Sequence, residues 1–198
     1  MATTFDDLMP DIRITASGLF EEKVYAYLRD TMVDFSVKTG CLLANAEIEL
    51  DRGEWEAELF IDSSSIEIPF KTLWVKDGNR KLVESSVMIG SFGVPASYMD
   101  LRTKLVFDRA PDQSMTFTAA CMVKPKGTAV RFNDVFNNDY REAIIHGASM
   151  RICLTQGGSW FNPDMAQYHK QQYDDALRQT KAEVLMRHHK FVQPVRFI

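Results

Sequence analysis

The period of the hydrophobic residues changes twice along this chain, and each change marks a boundary between kinds of structure. From Phe20 to Lys38 the positions Phe20, Val24, Tyr27, Leu28, Thr31 and Phe35 recur at helical spacing, with Glu21, Arg29, Asp30 and Asp34 between them. That pattern predicts an amphipathic helix with one buried face, and Gly40 follows it as a stop. From Cys41 onward the period falls to two. "EIELDRGEWEAELFI" (Glu47 to Ile61) alternates around Asp51-Arg52-Gly53, a hairpin signal with a glycine free to take a positive φ. "TLWVKDGNRKLV" repeats the pattern around Asp77-Gly78, which suits a type I′ turn, and "TKLVFD" with "MTFTAACMV" reads as a third pair joined by "RAPDQS". Residues 41–130 are therefore expected as an antiparallel, sandwich-like β-domain. "MIGSFGVPASYM" (Met88 to Met99), with two glycines and a proline, reads as a loop.

Helical spacing returns at Asn138. Tyr140, Ile144, Gly147, Ala148, Arg151 and Leu154 mark one face, and Ile145, Ile152 and Cys153 add a second apolar side, as expected of a helix held between layers. Gly147 and Ala148 permit a neighbouring helix to approach closely. Gly157-Gly158 predicts a left-handed C-terminal cap. A second helix then starts with Asn162 as cap, Pro163 at its first position and Asp164 favourable to the helix dipole. Its expected buried stripe is Ala166, Tyr173, Ala176, Leu177 and Val184. The fold class is thus α+β: a helical domain (1–40 plus 131–188) in which one N-terminal helix and a C-terminal helical hairpin make a bundle, the β-domain (41–130), and an extended tail (189–198). Ile144, Gly147, Ala148, Trp160 and Pro163 are the residues expected to pack the hairpin.

A chain of 198 residues with 45% hydrophobic residues buries a sizeable core without metals or disulfides. Its formal net charge of -4 runs against general binding to nucleic-acid phosphates. Cys41, Cys121 and Cys153 are odd in number and far apart, with no C-x-x-C, which reads as buried reduced thiols and a reducing cytosol. There is no signal-like start and no run of about 18 apolar residues, so neither secretion nor a membrane span is expected.

Chemistry-bearing patterns are missing. The histidines His146, His169, His188 and His189 make no H-E-x-x-H, and His146 with Cys153 supplies two ligands, which do not make a zinc site. There is no G-x-S-x-G, no G-x-x-x-x-G-K and no G-x-G-x-x-G after a strand. Asp6-Asp7, Glu21-Glu22 and Asp174-Asp175 read as solvated surface charge rather than acid–base pairs. Trp160 and Phe161 invite a role as a stacking platform, but a tryptophan in a helix-hairpin loop more often covers the local core. No enzyme, cofactor or metal is expected. The last residues, "RHHKFVQPVRFI", carry no acid, and Pro194 bars a helix and favours an extended course.

Taken in order, "FDDLMPDI", "LRDTMVDFSVKTG", the hairpin strands, "YREAIIHGASMRI" and "WFNPDMAQYHKQQY" resemble tailed-bacteriophage head-to-tail adaptor proteins, also called connector, neck or tail-tubular proteins. The resemblance spans nearly the whole chain. Its most specific part is the Tyr-x-x-Ala-Ile-x-x-Gly-Ala helix, the short loop with Trp-x-Asn-Pro, and the second helix. The family's usual cysteine near the end of the first long helix is replaced here by Ser36. The resemblance implies a structural virion protein, assembled in the host cytoplasm into a homo-oligomeric ring, a dodecamer, in the neck under the portal. Such a ring extends the channel through which genomic DNA passes without specific binding, and it presents a surface to the tail nozzle or tube, with no membrane involved. Lys190, Phe191, Val192, Pro194, Val195, Arg196, Phe197 and Ile198 are then the expected portal-binding residues. Three alternatives stay open: another phage ring component, such as a tail terminator or stopper; a small nucleic-acid-binding or modifying protein using Trp160 and the basic C-terminus; and, last, an enzyme of unrecognised type.

Overall fold

A computed structural model of the chain describes residues 2–86 and 90–190. The fold is α+β with antiparallel sheets. It divides into two compact units, Leu42–Lys124 and the combination of Met1–Cys41 with Pro125–Ile198.

In chain order the combined unit begins with β1 (Ala2–Thr4), a short 3-10 turn (Phe5–Asp7), α1 (Met9–Ile12) and α2 (Glu21–Thr39). Val24, Leu28, Thr31 and Phe35 of α2 are buried, whereas Phe20, its N-cap, stands 84% exposed because it precedes the first helical turn. Gly40 closes α2 in the left-handed region (φ 66°, ψ 26°), where its N–H donates to the Ser36 carbonyl. A residue with a Cβ pays for that conformation, which is why glycine stands there. Ser36 is itself buried, and its hydroxyl donates back to the Met32 carbonyl.

The chain then enters the Leu42–Lys124 unit. Its strands are β2 (Leu43–Leu50), β3 (Glu56–Glu58), β4 (Phe60–Ile61), β5 (Glu67–Asp77), β6 (Arg80–Lys81), β7 (Val83–Glu84), β8 (Ser91–Phe92), β9 (Ser97–Asp100), β10 (Lys104–Phe107), β11 (Arg109–Ala110) and β12 (Met115–Pro125). Five of them form one sheet in the order β4-β2-β12-β5-β6, and four form a second in the order β3-β10-β9-β7. The β2–β12 register sets Phe117 opposite Ile48 and Ala119 opposite Ala46. All four side chains are buried, the outcome of strict alternation on a sheet with one covered face. Phe107 stacks on Phe117 with centroids 4.9 Å apart, so residues of β10 and β12 share this core.

Several pairings differ from the alternating pattern. The expected Glu47–Ile61 hairpin is split: β4 returns to β2, while β3 pairs with β10. The run "TKLVFD" does not pair with "MTFTAACMV"; β10 lies between β3 and β9, and β12 between β2 and β5. Alternation identifies a strand's buried face but is silent about which strand lies beside it. The Asp77-Gly78 hairpin forms, with Asp77 opposite Arg80. Gly78 has φ 57°, and among non-glycine residues described only Arg102 has a positive φ, so this is a turn that needs it at the first position, as in type II′, and not type I′. The segment read as a loop from Met88 contains β8 and most of β9, with Met88 and Ile89 outside the described residues. Both strands make parallel pairs, β8 with β11 and β9 with β7. Asp108, 2% exposed, accepts the N–H groups of Ala96 and Ser97 at 2.9 Å each and so organises the backbone after Pro95.

Returning to the combined unit, the chain forms β13 (Arg131–Asn133), α3 (Val135–Asn138), α4 (Arg141–Cys153) and α5 (Pro163–Lys190). The strand β13 pairs antiparallel with β1, and Thr3 donates its hydroxyl to Asp134. The helix α4 packs on both α2 and α5, and α2 also touches α5. The core here is Leu8, Ile12, Leu28, Met32, Phe35, Phe132, Phe136, Ile144, Ala148 and Ile152. Along α5 the buried positions are Ala166, His169, Tyr173, Thr180 and Val184, with Ala176 and Leu177 half-buried. The helix continues through His189 and Lys190, two residues into the segment expected as an extended tail, because no proline intervenes before Pro194.

Candidate functional site

The turn between α4 and α5 is built differently from a glycine cap. Leu154 caps α4 in the right-handed region (φ -86°, ψ -10°), and its N–H reaches the Ile152 and Met150 carbonyls. The expected cap at Gly157-Gly158 is therefore three residues late. These glycines serve the loop instead. Gly157 has φ 107°, and a Cβ on Gly158 would stand 2.3–2.4 Å from the Trp160 indole. Trp160 is half-buried and reaches within 3.7 Å of where a Cβ on Gly18 would lie, so it closes over the loop before α2. Its Nε1 is buried with no partner among the described residues. The Asn162 N–H donates to the Cys153 carbonyl at 3.0 Å and shuts the loop. The Asn162 side chain then accepts the Met165 N–H at 3.1 Å, capping α5 with Pro163 at its first position.

Beneath this loop three helices meet with almost no space. Ile144 and Ala148 are fully buried. A Cβ on Gly147 would stand 2.5 Å from Thr31 Cγ2 and 2.8 Å from the Tyr173 ring. Around that contact runs a chain of polar groups. The Tyr173 hydroxyl donates to Asp34 Oδ2 at 2.9 Å, Lys38 Nζ reaches the same oxygen at 2.8 Å, and Arg151 lies 3.9 Å from it. Arg151 also donates to Thr31 Oγ1 at 2.7 Å, Thr31 to the Tyr27 carbonyl, and the Tyr27 and Thr155 hydroxyls bond at 2.6 Å. Burial, with the Asp34 carboxylate beside it, pushes the Tyr173 phenol far up. This constellation donates and accepts within itself and fixes three helices to one another.

A second polar pair lies on the same hairpin. His146 Nδ1 and His169 Nδ1 are 2.8 Å apart, and Tyr168 meets both rings edge-on. Burial lowers both imidazole pKa values; Glu142 partly offsets the effect at His146, and His146 adds to it at His169. An open cavity of about 450 Å³ lies between the start of α4 and α5, lined in part by Asn138, Tyr140, Arg141, Gln179, Thr180 and Glu183. Arg141 is committed within its own unit, to Asp11 at 2.8 Å, the Asp7 carbonyl and Asn137.

Among the described residues no group of three His, Cys, Asp or Glu is placed to hold a metal. His146 and Cys153 both lie on α4, with Cys153 buried and its thiol pushed up by burial. Cys121 is pushed up to about 11 by burial, the state of an inert thiol. Asp6-Asp7, Glu21-Glu22 and Asp174-Asp175 are exposed, and Glu21 pairs with Arg13. Among the described residues no helix is long and apolar enough to cross a membrane. Of the expected portal-binding residues, Lys190 is the last residue of α5, and Phe191 to Ile198 lie outside the described residues.

Periodicity missed Asp34 and His169 as participants because it scores charge and imidazole as solvent-facing. One signal was present: Tyr27 and Thr31, counted in the apolar stripe, carry hydroxyls and continue through Asp34 to Lys38 at spacings of four, three and four. Comparison with known protein families and with characterised proteins gives no match to this chain.

Proposed function

We propose that this chain is a structural virion protein, a head-to-tail adaptor of a tailed bacteriophage, without catalytic turnover. Copies assemble into a ring, a dodecamer, that docks under the portal, extends the DNA channel and offers an attachment surface to the tail. The observation that carries this reading is the α4–α5 hairpin. Tyr140 at the N-cap of α4, Ala143, Ile144, Gly147 and Ala148 along it, Trp160 and Asn162 in the turn and Pro163 at the start of α5 are the residues on which the resemblance rests, and all belong to the one hairpin in which α4 packs on α5. The net charge of -4 suits a channel that lets DNA slide rather than holding it. In this reading the strands close as a sandwich-like layer and the long helices as a bundle, with Lys190, Phe191, Val192, Pro194, Val195, Arg196, Phe197 and Ile198 as the portal grip.

Negative-stain microscopy of the purified protein, with and without portal, tests the proposal. Rings on portal vertices are expected, and a monomer that never associates with portal overturns it. Deleting Phe191 to Ile198 separates the parts: the melting temperature should stay nearly unchanged while attachment to portal-bearing heads is lost. Attachment of the truncated protein at wild-type level would move the grip onto the helices.

A further inference from the structure

The pair formed by His146 and His169 is independent of the adaptor reading. Each ring sits at the contact of α4 with α5, and the two Nδ1 atoms at 2.8 Å are within hydrogen-bond distance. Two nitrogens that close share one proton: one ring carries Nδ1–H and the other presents a lone pair. Hydrogen-bond accounting decides which. His169 is 8% exposed, and its Nε2 is buried with no partner among the described residues. Were His169 the acceptor, its proton would sit on that Nε2 as a buried donor without a partner. An unpaired buried N–H is rarer than an under-satisfied acceptor. His169 therefore donates from Nδ1, and the half-buried His146 accepts and carries its own proton on Nε2.

In this arrangement neither ring accepts a further proton without damage. A proton on His146 Nδ1 faces the N–H of His169, and a proton on the buried His169 Nε2 has no acceptor among the described residues. Of the charged groups around the pair, Glu142 partly offsets this at His146. On α4, Glu142 is one turn before His146 and exposed; on α5, Tyr168 contributes a neutral ring. On α2, Asp34 and Lys38 are engaged with Tyr173, Arg151 and each other. We infer that His146 and His169 form a proton-gated clasp, in which one shared proton holds α4 to α5 and a second proton, taken up on acidification, releases the contact.

The sign follows from the depressed folded-state values. The unfolded chain takes up protons near pH 6.5, the ordinary histidine value, before the folded pair does. Stability is therefore fully present above that pH and falls as pH drops through it, until the folded pair also protonates. Within that window each excluded proton raises the unfolding constant about tenfold per pH unit.

The test compares the wild-type chain with the double variant His146→Asn/His169→Asn, whose side-chain amides keep a hydrogen bond near the Nδ1 positions and do not titrate. Urea unfolding is followed between pH 7.5 and 5. The wild-type midpoint should fall steeply below pH 6.5 and that of the variant should fall less, the difference being up to about tenfold per pH unit in the unfolding constant for each of the two excluded protons. His188 and His189 are present in both proteins and drop out of the difference. Equal slopes would overturn the inference. Should the variant not fold, nitrogen-15 imidazole spectra of the wild-type chain decide. Two rings that stay neutral below pH 6.5 with coupled Nδ1 signals support the clasp, and two rings that titrate independently at the ordinary value refute it.

Discussion

Replacing Gly147 by alanine sets two calculable effects against each other. In an exposed helix the change stabilises by about 1 kcal/mol, since alanine loses less backbone freedom. At this position the new methyl would lie 2.5 Å from Thr31 Cγ2 and 2.8 Å from the Tyr173 ring. Neither neighbour has room to yield, because Thr31 is 0% and Tyr173 2% exposed, and both are hydrogen-bonded. Overpacking of a core costs about 1–3 kcal/mol. Displacing Tyr173 also loses its bond to the Asp34 carboxylate, about 1.5–3 kcal/mol for a bond to a charged group. The net expectation is a loss of roughly 1.5–5 kcal/mol, so steric exclusion outweighs helix propensity. Urea denaturation followed by circular dichroism reads this directly. Gly127→Ala is the control, since a Cβ there meets nothing within 4 Å; it should stay within about 0.5 kcal/mol. Thr31→Ser removes the nearest methyl and keeps the hydroxyl, so it should recover part of the loss in the Gly147→Ala background. If Gly147→Ala is as stable as the wild type, α2, α4 and α5 do not approach as closely as described, and the reasoning fails.

Other perturbations follow from the same contacts. Ile144 is completely buried, so Ile144→Ala should cost about 2–5 kcal/mol and Ile144→Asp should leave no cooperative unfolding transition. Asn162→Ala removes the cap of α5 and should cost about 0.5–2 kcal/mol by urea titration, while Asn162→Asp should retain most of it. Burial raises Tyr98 to about 12, with Glu84 and Asp100 adding to the shift. The folded state thus keeps a proton that the unfolded state releases near pH 10, and stability present below that value should be lost between pH 10 and 12. A step of phenolate absorbance that appears only together with unfolding and is lost in Tyr98→Phe would bear this out, and ionisation of Tyr98 near pH 10 in the folded state would refute it.

How far the sequence reaches depends on what kind of information each element needs. The helix over Glu21–Thr39 is legible because its buried side repeats every three to four residues and Gly40 ends it in the left-handed conformation. The start of α5 is legible for a similar reason, since Asn162-Pro163-Asp164 solves the problem of the first unpaired N–H groups locally. The β-region is legible in its faces but not in its neighbours. Phe117 and Ile48 alternate correctly whichever strands they join, and only the folded chain sets them opposite each other. Short pairs such as Arg109–Ala110 with Ser91–Phe92 carry too few residues for any period. The buried Asp108 carboxylate that orders the nearby Ala96–Ser97 backbone looks, in sequence, like one more surface acid.

The polar groups between the long helices escape periodicity for a deeper reason. An apolar stripe defines which sides of α2, α4 and α5 face inward, but stripes of similar width tolerate sliding. A carboxylate that takes several donors at once does not. Asp34 receives Tyr173 from α5, has Arg151 of α4 beside it, and takes Lys38 from one turn along its own helix. Sliding α5 by one turn moves the Tyr173 hydroxyl by about 5.4 Å, beyond hydrogen-bond reach, and strips a donor from a half-buried charge. Gly147 makes the same demand in steric form, because only the observed axial position lays the Tyr173 ring over a residue without a side chain. One tyrosine thereby reads two independent features of the neighbouring helices, a gap on α4 and a charge on α2. Both must be in place together, which selects a single register from the many that the hydrophobic pattern would permit.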